Sequence, residues 1–232
     1  MLMRITSAVS LLLCVAGPAL AAEPLPYVTT KQIDLTRLLA PPPAVDSAQT
    51  QAEIQEVLRV QAGRTAEMEA AAKADQQEDV FRFANVLGKS FKAENLPLAT
   101  PFFERVANNE GVIVDPAKDA WKRPRPFMAS SEVKPVVKMS KSGAYPSGHA
   151  SVGYLLAVVL SDMVPEKRGE IFKRAAEYAD NRIVGGVHYA SDIQAGRIAG
   201  TSIAAIMMSQ PEYQRDFALA KAEVRKVLGY AK

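Results

Sequence analysis

Residues 143–151 of this 232-residue chain read Gly-Ala-Tyr-Pro-Ser-Gly-His-Ala-Ser. In this stretch Pro146 fixes φ, Ser147 is a favourable helix N-cap, and Gly148 lets a ligand come close to the backbone. The apolar residues that follow predict a buried helix. Backbone N–H groups, a hydroxyl and the His149 imidazole would then meet at a helix N-terminus, where anions bind well. The stretch therefore predicts one half of a phosphate site.

The composition is that of an ordinary globular protein. The chain is 48% hydrophobic and 23% charged, and its length suits one domain with a sizeable core. Aromatic residues make up only 7% and helix formers are plentiful, which favours an all-α fold. The formal charge of +3 and the pI of 8.9 suit a small anionic substrate. The positive charge is too small, and the Lys and Arg residues too scattered, to indicate a nucleic-acid partner.

Residues 1–22 are predicted to be a cleavable secretory signal peptide. A short start containing Arg4 precedes an apolar stretch at 10–16, and Ala-Leu-Ala at 19–21 is a small-x-small cleavage site. A transmembrane anchor is the alternative, but the run is too short to span a bilayer, so no stable membrane insertion is expected. The single cysteine, Cys14, follows a bulky leucine, which argues against a lipoprotein. The predicted location is periplasmic, and the mature chain would have no thiol nucleophile or ligand.

The rest is predicted to be an N-terminal arm with a Pro-rich connector, residues 23–46, and one helical domain, residues 47–232. The connector at 40–43, Ala-Pro-Pro-Pro, is rigid and need not separate two domains. Residues 129–143 lack apolar periodicity and are predicted to form a mobile loop beside the site. The predicted helical segments, apart from the one after residue 147, are 34–39, 47–74, 78–88, 99–121 with a bend allowed at 108–111, 166–180 and 213–230.

A second chemical cluster is Lys-Asp-Ala-Trp-Lys-Arg-Pro-Arg-Pro at residues 118–126. Its two prolines are expected to end the preceding helix. Lys118 near the helix end and Arg125 just beyond it can converge on one anion, because an ammonium offers a point charge and a guanidinium a planar fork. Taken alone, such a cluster is more typical of a solvated basic helix end.

A third cluster spans residues 181–192, Asn-Arg-Ile-Val-Gly-Gly-Val-His-Tyr-Ala-Ser-Asp. Gly185 and Gly186 are expected to break the chain, so that His188 starts a new helix and shares a face with Asp192. A carboxylate there can hold one imidazole nitrogen as N–H and leave the other free to attack. One such pair is weak evidence of function, because surface and core pairs of this kind are common.

The histidine content strengthens the functional interpretation. The chain has only two histidines, and both follow glycine-bearing turns at predicted helix starts. Two core histidines are not expected to occur in this way by chance. A zinc site is the other interpretation of paired histidines, but it needs a third close ligand, and only Asp192 is suggestive. We therefore expect no metal.

The three clusters place charged and small residues in a fixed order: Lys118-x6-Arg125-Pro126, Pro146-Ser147-Gly148-His149 and Arg182-x5-His188-x3-Asp192. This order resembles the three-part signature of the type 2 phosphatidic acid phosphatase superfamily. The predicted signal, the chain length, the Leu39–Pro43 segment and Gly-x-Tyr-Pro-Ser-Gly-His together resemble one branch, the bacterial class A non-specific acid phosphatases.

Two departures from the pattern of that branch are visible. Asn181 stands where the branch usually has Ser, and Ala144 and Ala150 stand where it usually has Ser and Thr. These positions flank the chemistry, so they bear on substrate preference and rate more than on the reaction.

The resemblance implies a role for each matching residue. His188 would be the nucleophile that forms a phosphohistidine, and Asp192 would orient it. His149 would protonate the leaving oxygen and then activate water. The implied phosphate-binding groups are Lys118, Arg125, Arg182, Ser147 and the N–H of Gly148.

The resemblance also implies the wider properties of the protein. It implies a helical bundle with the phosphate site at helix N-termini in its core. It implies hydrolysis of small phosphate monoesters without metal or other cofactor, and a homodimer or larger homo-oligomer.

Three alternatives remain beside this interpretation. A vanadium haloperoxidase shares the same constellation of residues, although such chains are usually much longer. A phosphotransferase could use the same site. A periplasmic phosphate- or phospholipid-binding protein would need no turnover, but binding alone does not require two histidines with opposite protonation demands.

Overall fold

The computed structural model describes residues 25–230, and all regular structure within them is helical. This confirms the all-α prediction. The predicted signal peptide and Cys14 lie outside the described residues. The α-helices are α1 Leu35–Leu38, α2 Ala48–Ala62, α3 Ala66–Ala74, α4 Ala84–Leu87, α5 Ala99–Trp121, α6 Pro126–Ala129, α7 Gly148–Met163, α8 Arg168–Val184, α9 Ala190–Met208 and α10 Pro211–Val227. Short 3-10 turns cover Val80–Phe83, Ala93–Asn95 and Pro165–Lys167.

Helix α7 is the centre of the fold. Thirteen of its sixteen residues are buried, and it packs against α5, α8 and α9. A helix that is apolar on every side must be enclosed by other helices, which is why the stretch after residue 147 becomes the core of the bundle. None of the helices within residues 25–230 is long and apolar enough to cross a membrane.

Two glycines of α9 allow it to lie unusually close to α7. A Cβ on Gly200 would overlap the carbonyl oxygen of Ser151, and a Cβ on Gly196 would lie 2.5 Å from the carbonyl oxygen of Ser147. The N–H of Ser147 also donates to the carbonyl of Asp192 over 3.0 Å. The second and third sequence clusters are thereby fixed against each other at one end of the bundle.

The predicted single helix over residues 47–74 is wrong. It is two helices, α2 and α3, separated at Gly63 and Arg64, with Thr65 capping α3 by accepting from the N–H of Met68. Arg64 points into the protein and donates to the carbonyl of Val184 over 2.9 Å. A long-range contact therefore fixes the break, and the local pattern could not show it.

The bend allowed at residues 108–111 is absent, and α5 is one continuous helix. Asn109, which lies in that segment, donates to the carbonyl of Arg105 over 2.7 Å and accepts from the N–H of Val28 over 2.9 Å. The side-chain amide of Asn109 therefore has hydrogen-bond partners for both its nitrogen and its oxygen inside a straight helix. It also ties the N-terminal arm to the bundle.

The ends of the other predicted elements differ less from expectation. Gly88 ends the third helical segment with a positive φ of 100°, as predicted, although this segment begins as a 3-10 turn. Helix α8 continues to Val184, so it carries the Arg of the third cluster, and α10 packs mainly on α5. The Pro-rich connector lies along the body, because the Tyr145 hydroxyl donates to the carbonyl of Ala40 over 2.8 Å.

Candidate active site

The N-terminus of α7 opens into a cavity of about 480 Å³. Six of the eight predicted site residues line it, while the other two, Ser147 and Asp192, lie behind its wall. The cavity is lined by Gln76, Glu78, Lys118, Arg125, residues 138–142, Gly148, His149, Arg182 and His188. The structure therefore brings all three sequence clusters to one place.

Ser147 has a different position from the one expected of a phosphate ligand. It is fully buried, and its Oγ accepts from the N–H of Ala150 over 3.3 Å. The hydroxyl therefore caps α7, and Gly148 and His149 are the residues of this stretch that face the cavity.

His188 lies just before α9 and does not start it, so that part of the prediction is wrong. The helix begins at Ala190, with Tyr189 as its N-cap, and Gly186 turns the chain with a φ of 75°. The predicted contact between His188 and Asp192 is nevertheless present. His188 Nδ1 lies 3.2 Å from Asp192 Oδ2, which also accepts from the N–H of Tyr189 over 2.9 Å.

The surroundings of His188 assign its tautomer. The carboxylate of Asp192 accepts a hydrogen bond from Nδ1–H, so Nε2 is the unprotonated nitrogen and keeps its lone pair. Arg125 Nη1 lies 3.0 Å from Nε2 and can donate to it. Burial, followed by the charges of Arg125 and Arg182, holds the pKa of His188 well below its usual value of 6.5. The imidazole therefore stays neutral in moderately acidic solution.

Three cations from different elements surround the cavity. Lys118 lies on the last turn of α5, Arg125 precedes α6, and Arg182 lies on the last turn of α8. Arg125 is already held by the carbonyls of Ser142, at 3.0 Å, and Val187, at 3.1 Å. In Arg182, the buried Nε and Nη1 have no hydrogen-bond partner within residues 25–230. Buried donors of this kind need an acceptor, and a phosphate oxygen in the cavity would supply one.

No three His, Cys, Asp or Glu side chains between residues 25 and 230 are grouped so that they could hold a metal ion. The polar groups around this cavity are mainly donors, which suit an anion.

His149 also lines the cavity, and both of its ring nitrogens face acceptors. Nδ1 lies 2.9 Å from Glu78 Oε1, and Nε2 lies 3.1 Å from the carbonyl of Gln76. Although burial raises the pKa of Glu78, the hydrogen bond from His149 lowers it, and the net change is downward. Both ring nitrogens can donate to these acceptors at the same time only when the imidazole carries two protons. The sequence offered no signal for Glu78, which lies far from His149 along the chain.

Arg123 was counted in the basic cluster but not assigned a role, and the structure gives it one. Its Nη1 donates to Asp192 Oδ1 over 2.6 Å, and its Nη2 donates to Glu53 Oε2 over 2.7 Å. Glu53 lies on α2 and is buried. Burial raises the pKa of Asp192, whereas the charge of Arg123 and the N–H of Tyr189 lower it and favour the carboxylate form. Arg123 therefore fixes the carboxylate that orients His188.

Asn181, the departure in the third cluster, faces away from the cavity. Its amide donates to Asp75 Oδ2 over 2.7 Å, and Asp75 also accepts from Arg82 Nε over 2.9 Å. Asn181 therefore holds α8 to the segment after α3.

Comparisons with known proteins agree with this geometry. The sequence model of the PAP2 superfamily matches residues 106–216, which include all three clusters. A non-specific acid phosphatase of Providencia stuartii is 32% identical over 217 residues, and the alignment covers 87% of this chain and 85% of that protein. The chain belongs to the PAP2 superfamily. Its curated relatives include several non-specific acid phosphatases, so this PAP2 chain is a phosphatase, and the resemblance of the three clusters is confirmed.

Solved structures show the same fold as this PAP2 chain. A bacterial vanadium-dependent iodoperoxidase superposes with a TM-score of 0.58 at 20% identity, over 74% of this chain and 52% of that protein. A transmembrane PAP2-type phosphatidylglycerolphosphate phosphatase from Bacillus subtilis superposes with a TM-score of 0.51 at 15% identity, over 72% of this chain and 89% of that one. At these identities the likeness concerns the fold alone.

Proposed function

We propose that the chain is an acid phosphatase that hydrolyses phosphate monoesters through a phosphohistidine on His188, without a metal ion. The observation that carries this proposal is the setting of the His188 imidazole. Its Nδ1 faces Asp192, and its Nε2 faces a cavity lined by three cations. A neutral, oriented imidazole beside fixed positive charges is suited to attack a phosphorus atom.

Substrate binding follows from the charges of the cavity. The phosphoryl group would lie among Lys118, Arg125 and Arg182, with its oxygens also facing the N-terminus of α7 at Gly148. A phosphoryl transition state spreads negative charge over its equatorial oxygens, so fixed cations stabilise it strongly. These three side chains would supply the charge that metal ions supply in many other phosphoryl-transfer enzymes.

In the first chemical step, His188 Nε2 attacks phosphorus and an N–P bond forms. The P–O bond to the leaving group breaks, and His149 gives its proton to that oxygen. The imidazole of His188 becomes cationic, and the carboxylate of Asp192 stabilises the new charge through Nδ1–H. In the second step, His149 takes a proton from water, the water oxygen attacks phosphorus, and the N–P bond breaks to release phosphate.

An acidic pH optimum follows from the opposite demands on the two histidines. His188 must be neutral to attack, and its lowered pKa keeps it so at acidic pH. His149 must carry a proton, and the acceptors Glu78 and Gln76 on either side of its ring favour that form. Acidic solution meets both demands.

Broad specificity fits a site in which the charged groups face only the phosphoryl end. Residues 138–142, which include the exposed Met139, form a loop that also lines the cavity and can accommodate leaving groups of different shape. The periplasmic location and the homo-oligomer belong to the same proposal. They rest on the predicted signal at residues 1–22 and on the resemblance to class A enzymes. Cell fractionation and light scattering of the mature chain test them.

The decisive experiment combines turnover with trapping of the intermediate. The purified chain should release p-nitrophenol from p-nitrophenyl phosphate near pH 5, in the presence of EDTA. A rapid quench with labelled substrate should recover an acid-labile, alkali-stable phosphoenzyme, and His188→Ala should abolish both signals. Saturable phosphate binding without turnover would favour the binding-protein alternative. Transfer to an added alcohol in preference to water would favour the phosphotransferase.

A further inference from the structure

Glu110 is a buried carboxyl group that the proposed mechanism does not use. It lies on α5 two turns before Lys118 and is only 7% exposed. Its Oε1 has no hydrogen-bond partner within residues 25–230 and no contact with solvent. The nearest cation is Lys118, whose Nζ lies 3.8 Å from Oε1. A buried carboxylate oxygen without a partner is costly, so the group calls for an explanation.

The position of Glu110 connects it to the phosphate end of α7. A Cβ on Gly148 would overlap Glu110 Oε1 and lie 2.9 Å from Lys118 Nζ. The side chains of Glu110 and Lys118 therefore both lie directly against Gly148, the first residue of α7, which lines the cavity. A charge on Glu110 would lie directly behind the place where the phosphoryl group is expected.

Other charged groups, from four parts of the chain, surround Glu110 and Lys118. Asp115 shares α5, lies 3.5 Å from Lys118 Nζ and is mostly exposed. Glu78 approaches from the segment before the first 3-10 turn, together with its partner His149 on α7, and Arg182 approaches Glu78 from α8.

The balance of these charges decides when Glu110 ionises. Burial raises the pKa of Glu110, Lys118 opposes the rise, and the negative charges of Glu78 and Asp115 add to it, so that the pKa reaches about 7. Glu110 is then neutral in the acidic range of the proposed reaction and ionises near neutrality.

We propose that Glu110 is a positioning residue that controls whether Lys118 is available to phosphate. When Glu110 is neutral, the nearest carboxylate to the ammonium group is the mostly exposed Asp115, at 3.5 Å, and the ammonium can turn towards the cavity. When Glu110 loses its proton to solvent, the carboxylate draws Lys118 from 3.8 Å to the roughly 2.8 Å of a charge-assisted hydrogen bond. The carboxylate also repels an anion at Gly148. This inference rests on the proposed function only in that Lys118 binds the phosphoryl group.

Sulfate is a suitable probe because it is a tetrahedral dianion whose own charge is constant from pH 5 to pH 8. Its dissociation constant is measured by calorimetry for wild type, Glu110→Gln and Asp115→Asn. We expect equal affinities of wild type and E110Q at pH 5. At pH 8 we expect E110Q to bind sulfate about tenfold more tightly, since a like charge near a bound anion shifts the equilibrium by about one pKa unit.

Asp115→Asn is the matched control, because it removes an exposed carboxylate from the same lysine. Because that carboxylate is mostly exposed to solvent, its removal should change the sulfate affinity by a small amount that is the same at both pH values. His149 is present in all three proteins, so its contribution cancels in the ratio of E110Q to wild type, which reports Glu110. In turnover, E110Q should lower KM at pH 8 and change kcat little, which a merely structural role would not produce.

Two results would overturn the inference. One is an E110Q affinity that follows wild type from pH 5 to pH 8, and the other is an equal gain in D115N, which would indicate net charge alone. Glu110→Met, neutral and similar in length, carries the same expectation if E110Q does not fold. The proposed function fails separately: absence of p-nitrophenol release with the sulfate pattern intact would overturn the phosphatase reaction and leave the inference about Glu110 standing.

Discussion

At the scale of single residues, the two histidines differ in the charges around them. His188 is 3% exposed and is surrounded by Arg125, Arg182 and Lys118, which disfavour a proton on its ring. The ring of His149 instead faces the negatively charged carboxylate of Glu78. Two identical side chains are thus set up for opposite tasks, a nucleophile and an acid, by their neighbours alone.

Replacing His149 by Ala should separate the two chemical steps. A good leaving group such as p-nitrophenolate needs no proton, so His188 should still be phosphorylated. Hydrolysis then lacks its base and should slow by about 10²- to 10⁴-fold. A rapid quench should therefore show a burst of product equal to the enzyme concentration and an accumulated phosphoenzyme.

An alkyl phosphate is the control substrate for this variant. Its leaving group needs the proton, so H149A should show no burst with it. Equal bursts with both substrates, or an unchanged steady-state rate, would contradict the acid and base roles of His149.

The sequence predicted the residues that touch the cavity far better than the residues that hold them. Lys118, Arg182 and His188 stand at fixed spacings inside short clusters, so local pattern was sufficient to find them. Glu53 and Glu78 come from distant segments, and neither belongs to one of the three sequence clusters. Their roles arise from tertiary packing, which brings carboxylates to Arg123 and His149 across the fold.

At the scale of elements, the contact between α7 and α9 fixes the geometry of the site. Gly196 and Gly200 remove the side chains that would separate the helices, and the backbone of Asp192 accepts from Ser147. A small change in the distance between these helices would move His188 relative to Gly148. The precision of the site therefore depends on two glycines that lie outside the cavity.

Gly200→Ala tests this contact. The added methyl would overlap the carbonyl oxygen of Ser151, which is backbone and cannot rotate away. We expect a loss of about 1–3 kcal/mol, as for other overpacked cores, or roughly 2–4 °C of Tm per kcal/mol. Thermal unfolding and kcat are the measurements, and kcat should fall at temperatures where the variant is still folded.

Gly169→Ala is the matched control for that substitution. It lies on the exposed side of α8 with no atom near its Cβ position. Alanine is the better helix former, so this variant should gain about 0.5–1 kcal/mol and keep its kcat. Equal effects of the two substitutions would show that helix propensity, and not the α7–α9 contact, governs the result.

Helix α2 reaches the site through Glu53 and Arg123. Arg123→Met should leave Asp192 buried without its cation, which costs about 3–5 kcal/mol and frees the carboxylate to move. We expect kcat to fall sharply while KM changes little, because Arg123 does not line the cavity. The measurement is steady-state kinetics on protein shown to be folded by circular dichroism.

Arg105→Met is the control for a lost buried cation. Arg105 pairs with Glu212 and Asp216 on α10, and none of these three residues lines the cavity. It should lower stability but not kcat per folded molecule. An R105M variant as impaired in kcat as R123M would contradict a specific role of Arg123.

Among the elements, sequence periodicity predicted the core helix but not where helices break or continue. Helix α7 is apolar on all sides and has strong caps, so its place was evident. The break between α2 and α3 depends on Arg64 reaching Val184, and the straightness of α5 depends on Asn109 reaching Val28. Both outcomes are decided by groups more than 80 positions away, which no local window contains.

At the scale of the whole molecule, buried titratable groups act on stability in opposite directions. His188 has a lowered pKa, so the unfolded chain binds more protons and stability is lost as the pH falls below about 6.5. Glu110 has a pKa raised from 4.5 to about 7. Its native state binds more protons in that window, so its contribution is present below pH 4.5 and is lost as the pH rises through 7.

Glu110→Gln should therefore change the dependence of folding stability on pH in a defined direction. Glutamine cannot ionise, so the variant should gain stability relative to wild type as the pH rises from 4.5 to 8, by about 3 kcal/mol at most for a shift of this size. Chemical denaturation at a series of pH values gives the difference in free energy of unfolding. In Asp115→Asn, whose side chain is mostly exposed, the difference from wild type should change little over the same range. A constant difference between E110Q and wild type from pH 4.5 to 8 would show that Glu110 is already ionised in the folded protein, and the partnerless oxygen beside Lys118 would then carry a charge throughout.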